Sequence, residues 1–224
     1  MNKKNNLLSV FYLLVPGFVL LISFTHIPAV KTLMNSFYST AKGRRASKFV
    51  GLENYETLWL DATFWKVFSN NIIYALGVIP SSILLSLGMA LWVNSKIIGR
   101  PFLRFSYFLP TVLPLIAVGN IWLFFYAPGF GLIDQIVTSL GFPSLNILGS
   151  QESSLFGVMA VGIWKEAGFY MIFYLAGLQA IPPDLKEAAM IEGANKWYIF
   201  WRITFPLLTP TTLFVSVNAV INSF

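Results

Sequence analysis

Two stretches of this chain carry side chains that could do chemistry, and both lie in or beside apolar runs. The first reads Ile181-Pro-Pro-Asp184-Leu185-Lys-Glu187-Ala188-Ala189-Met-Ile-Glu192-Gly193-Ala194-Asn-Lys-Trp197-Tyr-Ile-Phe200-Trp201-Arg-Ile203-Thr-Phe-Pro206. Pro182 and Pro183 preset a first helical turn. Asp184 falls at the positive end of the helix dipole, where a carboxylate is favoured. Leu185, Ala188, Ala189 and Glu192 follow at helical spacing and put small side chains on one face. Gly193 can take a positive φ and end that helix sharply before Ala194. A second helix, Asn195 to about Ile203, carries Trp197, Phe200 and Trp201 and is expected to stop before Pro206. Such a pair suits docking into a groove of another protein. An amphipathic loop resting on lipid headgroups fits the same pattern on physics alone.

The second stretch is Trp164-Lys165-Glu166 with Phe169, Tyr170 and Tyr174. Charges inside an apolar run are costly and face a cavity or a partner helix. Adjacent helical residues point about 100° apart, so Lys165 and Glu166 are not expected to pair face to face. They either line a pathway or pair with other helices, the second being the simpler reading. Trp164, Phe169, Tyr170 and Tyr174 could stack on sugar rings, with lipid or helix packing the simpler account.

Other chemistry is excluded. The chain has no cysteine and one histidine, His26, so disulfides, thiolate sites and histidine-rich metal sites are out. No Gly-x-x-x-x-Gly-Lys-Ser/Thr loop occurs, so the chain does not itself cradle a nucleotide's phosphates. Paired carboxylates do not occur within an apolar run. We expect no catalytic residue and no bound metal or cofactor on this chain, which is therefore not an enzyme.

The elements that must position these residues follow from composition. Of 224 residues, 56% are hydrophobic and 11% charged, against about 25% charged in a soluble domain. A soluble enzyme, a disordered tail and a small secreted module are ruled out. The formal charge of +6 reflects basic loops between membrane spans rather than nucleic-acid binding. Apolar runs predict five spans, at about 7–30, 68–93, 105–127, 154–178 and 206–224, with the polar segment 180–205 between the last two. The first has the charge-then-apolar layout of a signal peptide but is too long for one, and reads as an uncleaved span. Pro80-Ser-Ser82 should interrupt the second span, and Pro110 and Pro114 should kink the third by about one turn.

Placing the N-terminus inside puts Lys3, Lys4, Lys96, Arg100, Arg104, Lys186, Lys196 and Arg202 on the cytoplasmic side. It leaves Lys31, Lys42, Arg44, Arg45, Lys48 and Lys66 outside, so the bias is thin. Trp59, Trp65, Trp92 and Trp122 read as interfacial anchors.

Glu187-Ala188-Ala189, three residues, Gly193, nine residues, Ile203 and then Pro206 resembles the EAA motif of the membrane subunits of ABC importers. Only Phe205 departs, where that family usually has leucine. Phe49-Val-Gly51-Leu-Glu-Asn-Tyr55, Phe108-Leu-Pro110 with Pro114 and Trp122, Trp164-Lys165 with Gly168-Phe169, and Ala176-Gly-Leu-Gln-Ala-Ile-Pro182 are similar to its carbohydrate-importing branch. A lysine at 165 fits that branch, whereas Glu166 is less expected.

The resemblance implies an all-α polytopic transmembrane bundle of the type I importer permease kind, with about five spans present. It implies a prokaryotic inner-membrane location, a second permease subunit in a heterodimer, two cytoplasmic ATPase subunits that hold ATP and Mg, and an extracytoplasmic sugar-binding protein. Coupling to the ATPase would fall to Asp184, Leu185, Glu187, Ala188, Ala189, Glu192, Gly193, Ala194, Ile203 and Pro206. Trp164, Lys165, Glu166, Phe169 and Tyr170 are the candidates for lining the sugar pathway. Such a permease would complete span five and add a sixth, so a chain ending at Phe224 reads as truncated. The competing readings are a non-transporting remnant or scaffold and, less favoured for want of an internal repeat, a secondary transporter.

Overall fold

The computed structural model describes residues 3–39, 47–95 and 97–224, with side chains from residue 10 onward. Lys42, Arg44, Arg45 and Lys96, on which part of the orientation reading rests, lie outside the described residues, as do the side chains of Lys3 and Lys4. Among the described residues the chain is helical, with one isolated bridge between Tyr38 and Phe49 and no strand. It divides into two units, Met1–Val67 and Phe68–Phe224.

In the first unit, α1 (Lys3–Leu21) runs through a π-helical turn, Ile22–His26, into α2 (Ile27–Asn35). The stretch Val10–Asn35 is long and apolar enough to cross a membrane. Helix persists past Lys31, beyond the expected end of the first span. The wide turn explains how it passes Pro28: the Ile27 N–H reaches back five residues to the Ile22 carbonyl, which moves the ladder away from the proline ring.

Beyond α2 the chain is pinned by α3 (Glu53–Leu60). The Asn54 side-chain amide donates to the carbonyls of Ser36 at 2.8 Å and Tyr38 at 3.0 Å. The Ser36 and Tyr55 hydroxyls share a 2.6 Å hydrogen bond. The Phe49–Tyr55 stretch noted in the sequence is thus a clamp on the end of the first helix. Replacing Asn54 by leucine should cost about 1–2 kcal/mol locally, one modest hydrogen bond each for two carbonyls. The expected readout is faster amide exchange at residues 36–39, with the rest of the chain unchanged.

The second unit begins within α4 (Ala62–Asn94), followed by α5 (Arg100–Val112), α6 (Leu115–Phe125), α7 (Leu132–Ser139) and α8 (Ser154–Ala180). Then come α9 (Pro183–Ile191), α10 (Lys196–Ile199), a π-helical turn Phe200–Thr204, α11 (Phe205–Leu207) and α12 (Thr209–Ser223). Among the described residues of the two units, three helices are long and apolar enough to span a membrane, or up to five spans if each bent pair counts as one. This is the all-α polytopic bundle expected.

Two proline expectations need correction. α4 is continuous through Pro80 rather than interrupted there. A proline removes one N–H from the ladder, and membrane helices tolerate that loss when neighbours pack closely. The third apolar run is not mildly kinked but broken, with a 101° bend between α5 and α6. Pro110 sits inside α5 without breaking it. The break falls at Leu113, which is extended at φ −69° and ψ 134°, because the ring of Pro114 disfavours helix in the residue before it.

The core is built around α8. Tyr170, Met171, Tyr174 and Leu178 pack with Leu87, Ala90 and Val93 of α4 and with Leu208, Val215 and Ala219 at and beyond the start of α12. In lipid such contacts hold helices together by close packing rather than by the hydrophobic effect.

The connection between α6 and α8 is organised by one carboxylate. Asp134, 3% exposed, accepts from the Leu145 N–H at 2.8 Å, the Gly129 N–H at 2.7 Å and the Ser144 hydroxyl at 2.9 Å. These donors, the Leu145 amide first, hold its carboxyl below the ordinary carboxylate range. A lowered folded pKa makes the carboxylate's contribution to the loop complete at neutral pH. It is lost only as pH falls below the ordinary carboxylate value toward the lowered one. Asp134→Ala should orphan two amides and speed exchange at Gly129 and Leu145 by roughly tenfold. That difference from the parent should vanish in acid.

Candidate functional site

The first candidate is the α9–α10 pair. Pro183 opens α9 and Asp184 lies in its first turn, as read from the sequence. The helix closes with a double hydrogen bond. The Ala194 N–H reaches the Ala189 carbonyl at 2.9 Å, and the Gly193 N–H reaches the Met190 carbonyl at 3.1 Å. That pattern requires a left-handed residue at the turn, and Gly193 has φ +83°. Two residues on, Asn195 caps α10, its side-chain oxygen accepting from the Tyr198 N–H at 2.8 Å. One helix therefore ends and the next begins within Glu192–Asn195, with each terminus satisfied locally.

The rest of the pair differs from expectation at one point. The second helix does not stop before Pro206. It widens into the π turn Phe200–Thr204, where the Phe205 N–H bonds to the Phe200 carbonyl, and continues to Leu207. The same device carries α2 past Pro28. The bend of 64° comes afterwards, before α12.

Asp184, Leu185, Glu187, Ala188, Glu192, Gly193 and Pro206 are exposed, while Ala189, Ala194 and Ile203 are half-buried. Apolar side chains stand out beside them: Ile191 is 87% and Trp197 71% exposed. Nothing in the described chain covers this face. It offers carboxylates, small side chains and apolar knobs on a rigid turn.

The second candidate is a cleft of about 540 Å³ among α4, α8, the α5–α6 segment and α12. Lys165, Glu166, Phe169 and Tyr170 all line it. Trp164 does not. It packs edge-on against Trp122, ring centroids 5.5 Å apart.

Lys165 Nζ and Glu166 Oε1 lie 3.9 Å apart. Neighbouring positions were not expected to pair face to face, yet the two charged ends come this close. Long, flexible side chains can reach a common space from diverging helix positions. Tyr74, Ser82, Thr111, Asn222 and Ser223 complete the polar lining, and the sequence reading did not place them there. Its available signals were a serine beside Pro80 and an asparagine in the apolar terminal run. Thr111 Oγ1 donates to the Lys165 carbonyl at 3.2 Å, and Asn222 Nδ2 approaches the Tyr170 hydroxyl at 3.5 Å. Ser82 Oγ is fully buried and has no hydrogen-bond partner among the described residues.

Comparisons with known proteins agree in direction. Residues 82–224 match the model of a family described as binding-protein-dependent transport system inner membrane component. The osmoprotective compounds uptake permease protein GgtC of Synechocystis sp. is 35% identical over 212 residues, covering 92% of this chain and 74% of that protein. The trehalose/maltose transport system permease protein MalF of Thermococcus litoralis is 30% identical over 213 residues, covering 95% and 72%. A chain in the crystal structure of a bacterial ABC transporter that imports the acidic polysaccharide alginate superposes with a TM-score of 0.79. It is 25% identical, and the match covers 98% of this chain and 74% of that one.

Proposed function

This chain belongs to the family of inner membrane components of binding-protein-dependent transport systems, and from that premise we propose that it is the permease subunit of an ABC-type sugar importer. On this reading the cleft among α4, α8 and α12 is part of the sugar pathway. The α9–α10 pair is the piece that moves with a separate ATPase subunit. The observation that carries the coupling assignment is the turn itself. A double-bonded helix end at Gly193 runs directly into the Asn195 cap, on a largely exposed face. A stiff, uncovered corner of this kind can transmit a rigid-body push.

The remaining parts follow from the same reading. ATP and Mg are held by two cytoplasmic ATPase subunits, which supply the energy this chain has no motif to harvest. A second, non-identical permease subunit completes the path, and an extracytoplasmic sugar-binding protein delivers cargo. The N-terminus and the α9–α10 pair face the cytoplasm, consistent with Arg100, Arg104, Lys186, Lys196 and Arg202 on that side. The family match favours this reading over a membrane scaffold, a remnant or a secondary transporter.

Affinity purification of this chain from its native membrane is the direct test. An ATPase subunit and a second permease should come with it. ATP hydrolysis by that complex should rise at least severalfold when sugar-loaded binding protein is added. A chain recovered without an ATPase subunit would contradict the assignment.

A further inference from the structure

Family membership leaves the charge class of the cargo open. The matched proteins include one named for trehalose and maltose and one that imports an acidic polysaccharide. The geometry of the cleft points to a neutral polyhydroxy ligand, an uncharged glycoside or polyol, held by the Lys165–Glu166 pair and selected against anionic sugars. This inference rests on the reading of the cleft as pathway.

Three observations carry it. First, Lys165 and Glu166 are the charged side chains among the lining residues, one of each sign. A carboxylate or phosphate entering the cleft would be attracted by Lys165 and repelled by Glu166 at nearly the same distance. It would also surrender its hydration, so it gains little for a large desolvation cost. Second, the separation of 3.9 Å exceeds the 2.7–3.2 Å typical of a direct N–H···O hydrogen bond. The ammonium keeps donors and the carboxylate keeps lone pairs that the pair does not use on itself. Adjacent sugar hydroxyls match that arrangement, one donating to Glu166 and its neighbour accepting from Lys165. Third, Ser82 is one of the residues lining the same cleft, and its buried Oγ has no hydrogen-bond partner among the described residues. A buried hydroxyl without a partner is costly unless something else bonds to it. Val78, Ile79, Val161 and Phe169 form the apolar wall against which the C–H face of a sugar ring can lie.

The absence of cysteine in the chain makes a clean test possible. A single cysteine is introduced as Asn222→Cys, or as Ser223→Cys if the first variant fails to assemble, in the complete importer held in lipid nanodiscs. Its alkylation by uncharged N-ethylmaleimide is followed with maltotriose or trigalacturonate as probe, without binding protein. Maltotriose should slow alkylation, and trigalacturonate should do so less well by roughly tenfold, the scale of one charge-assisted hydrogen bond. Adding Glu166→Gln frees the Lys165 charge and should reverse that order, whereas Lys165→Gln should leave trigalacturonate excluded.

Protection by trigalacturonate equal to that by maltotriose would overturn the charge assignment. So would protection by neither probe, or an order unmoved by Glu166→Gln. No alkylation at either position in any nucleotide state is a different failure. It would mean that the cleft is not open to water, and the pathway reading itself would fall.

Discussion

Gly193→Val should leave the chain in the membrane and bound to its partner subunits, yet reduce transport and sugar-stimulated ATP hydrolysis by more than about tenfold. The argument starts from the backbone. Gly193 sits at φ +83°, a region where an L-residue with a Cβ loses roughly 1–2 kcal/mol, and a β-branched residue more. A Cβ built there meets nothing within 4 Å, so the penalty is conformational rather than a clash. The chain can relieve it only by abandoning the left-handed turn. That breaks the Ala194–Ala189 and Gly193–Met190 hydrogen bonds and changes the angle at which α10 leaves α9. A graded series separates conformation from contact. Gly193→Asn should retain most activity because asparagine visits this region readily. Gly193→Ala should fall between the two. Equal losses in all three would show that the partner subunit needs the bare surface of glycine, and that the turn is not what matters. If, as proposed, the nucleotide site lies on a separate ATPase subunit, ATP hydrolysis without binding protein should change little.

The contrast between the two candidate sites shows what a sequence makes visible. Everything that shapes the α9–α10 corner is local. Pro183 opens a helix, Gly193 closes it and Asn195 starts the next, all within thirteen residues of chain, so spacing alone reveals the form. The cleft is assembled from Ser82, Lys165 and Asn222, which lie on three helices far apart in sequence and meet only through packing. Periodicity cannot announce such a meeting. Lys165 and Glu166 drew notice as charges in an apolar run, but the direction of a Cα–Cβ bond misjudged where long, flexible side chains would end.

Prolines misled in both directions for one reason. Pro80 and Pro110 lie within helices that continue, and Pro28 and Pro206 follow wide turns that accommodate them. Pro114 breaks its helix because Leu113 before it took the extended form. The ring sets a local cost, and the surrounding packing decides whether the helix bears it.

Gly168→Ala should be the most damaging single-methyl change in the second unit. Gly168 is buried in α8, and a Cβ placed there would run into the backbone carbonyl of Tyr107 in α5. The obstacle is main chain, so no side-chain rotation relieves it, and α5 and α8 must move apart. Overpacking of this kind costs about 3 kcal/mol or more when the neighbour cannot yield. The consequence extends to the cleft. Thr111 is tied to the Lys165 carbonyl across this same crossing, and the ring of Phe169 follows directly on Gly168. Separating the helices should therefore widen the cleft as well as loosen the bundle. The expected result is a complex that unfolds several degrees lower in detergent, with alkylation at Asn222→Cys faster and no longer slowed by sugar. Gly88→Ala is the matched control. It lies mid-helix in α4 with nothing within 4 Å of a new Cβ, and helix propensity alone should make it neutral or slightly stabilising. Small residues in membrane helices are commonly credited to close approach as a class. This pair asks whether one glycine holds a crossing that another, eighty residues earlier, does not. Equal stability of the two variants would mean that α5 and α8 do not meet where the carbonyl of Tyr107 now sits.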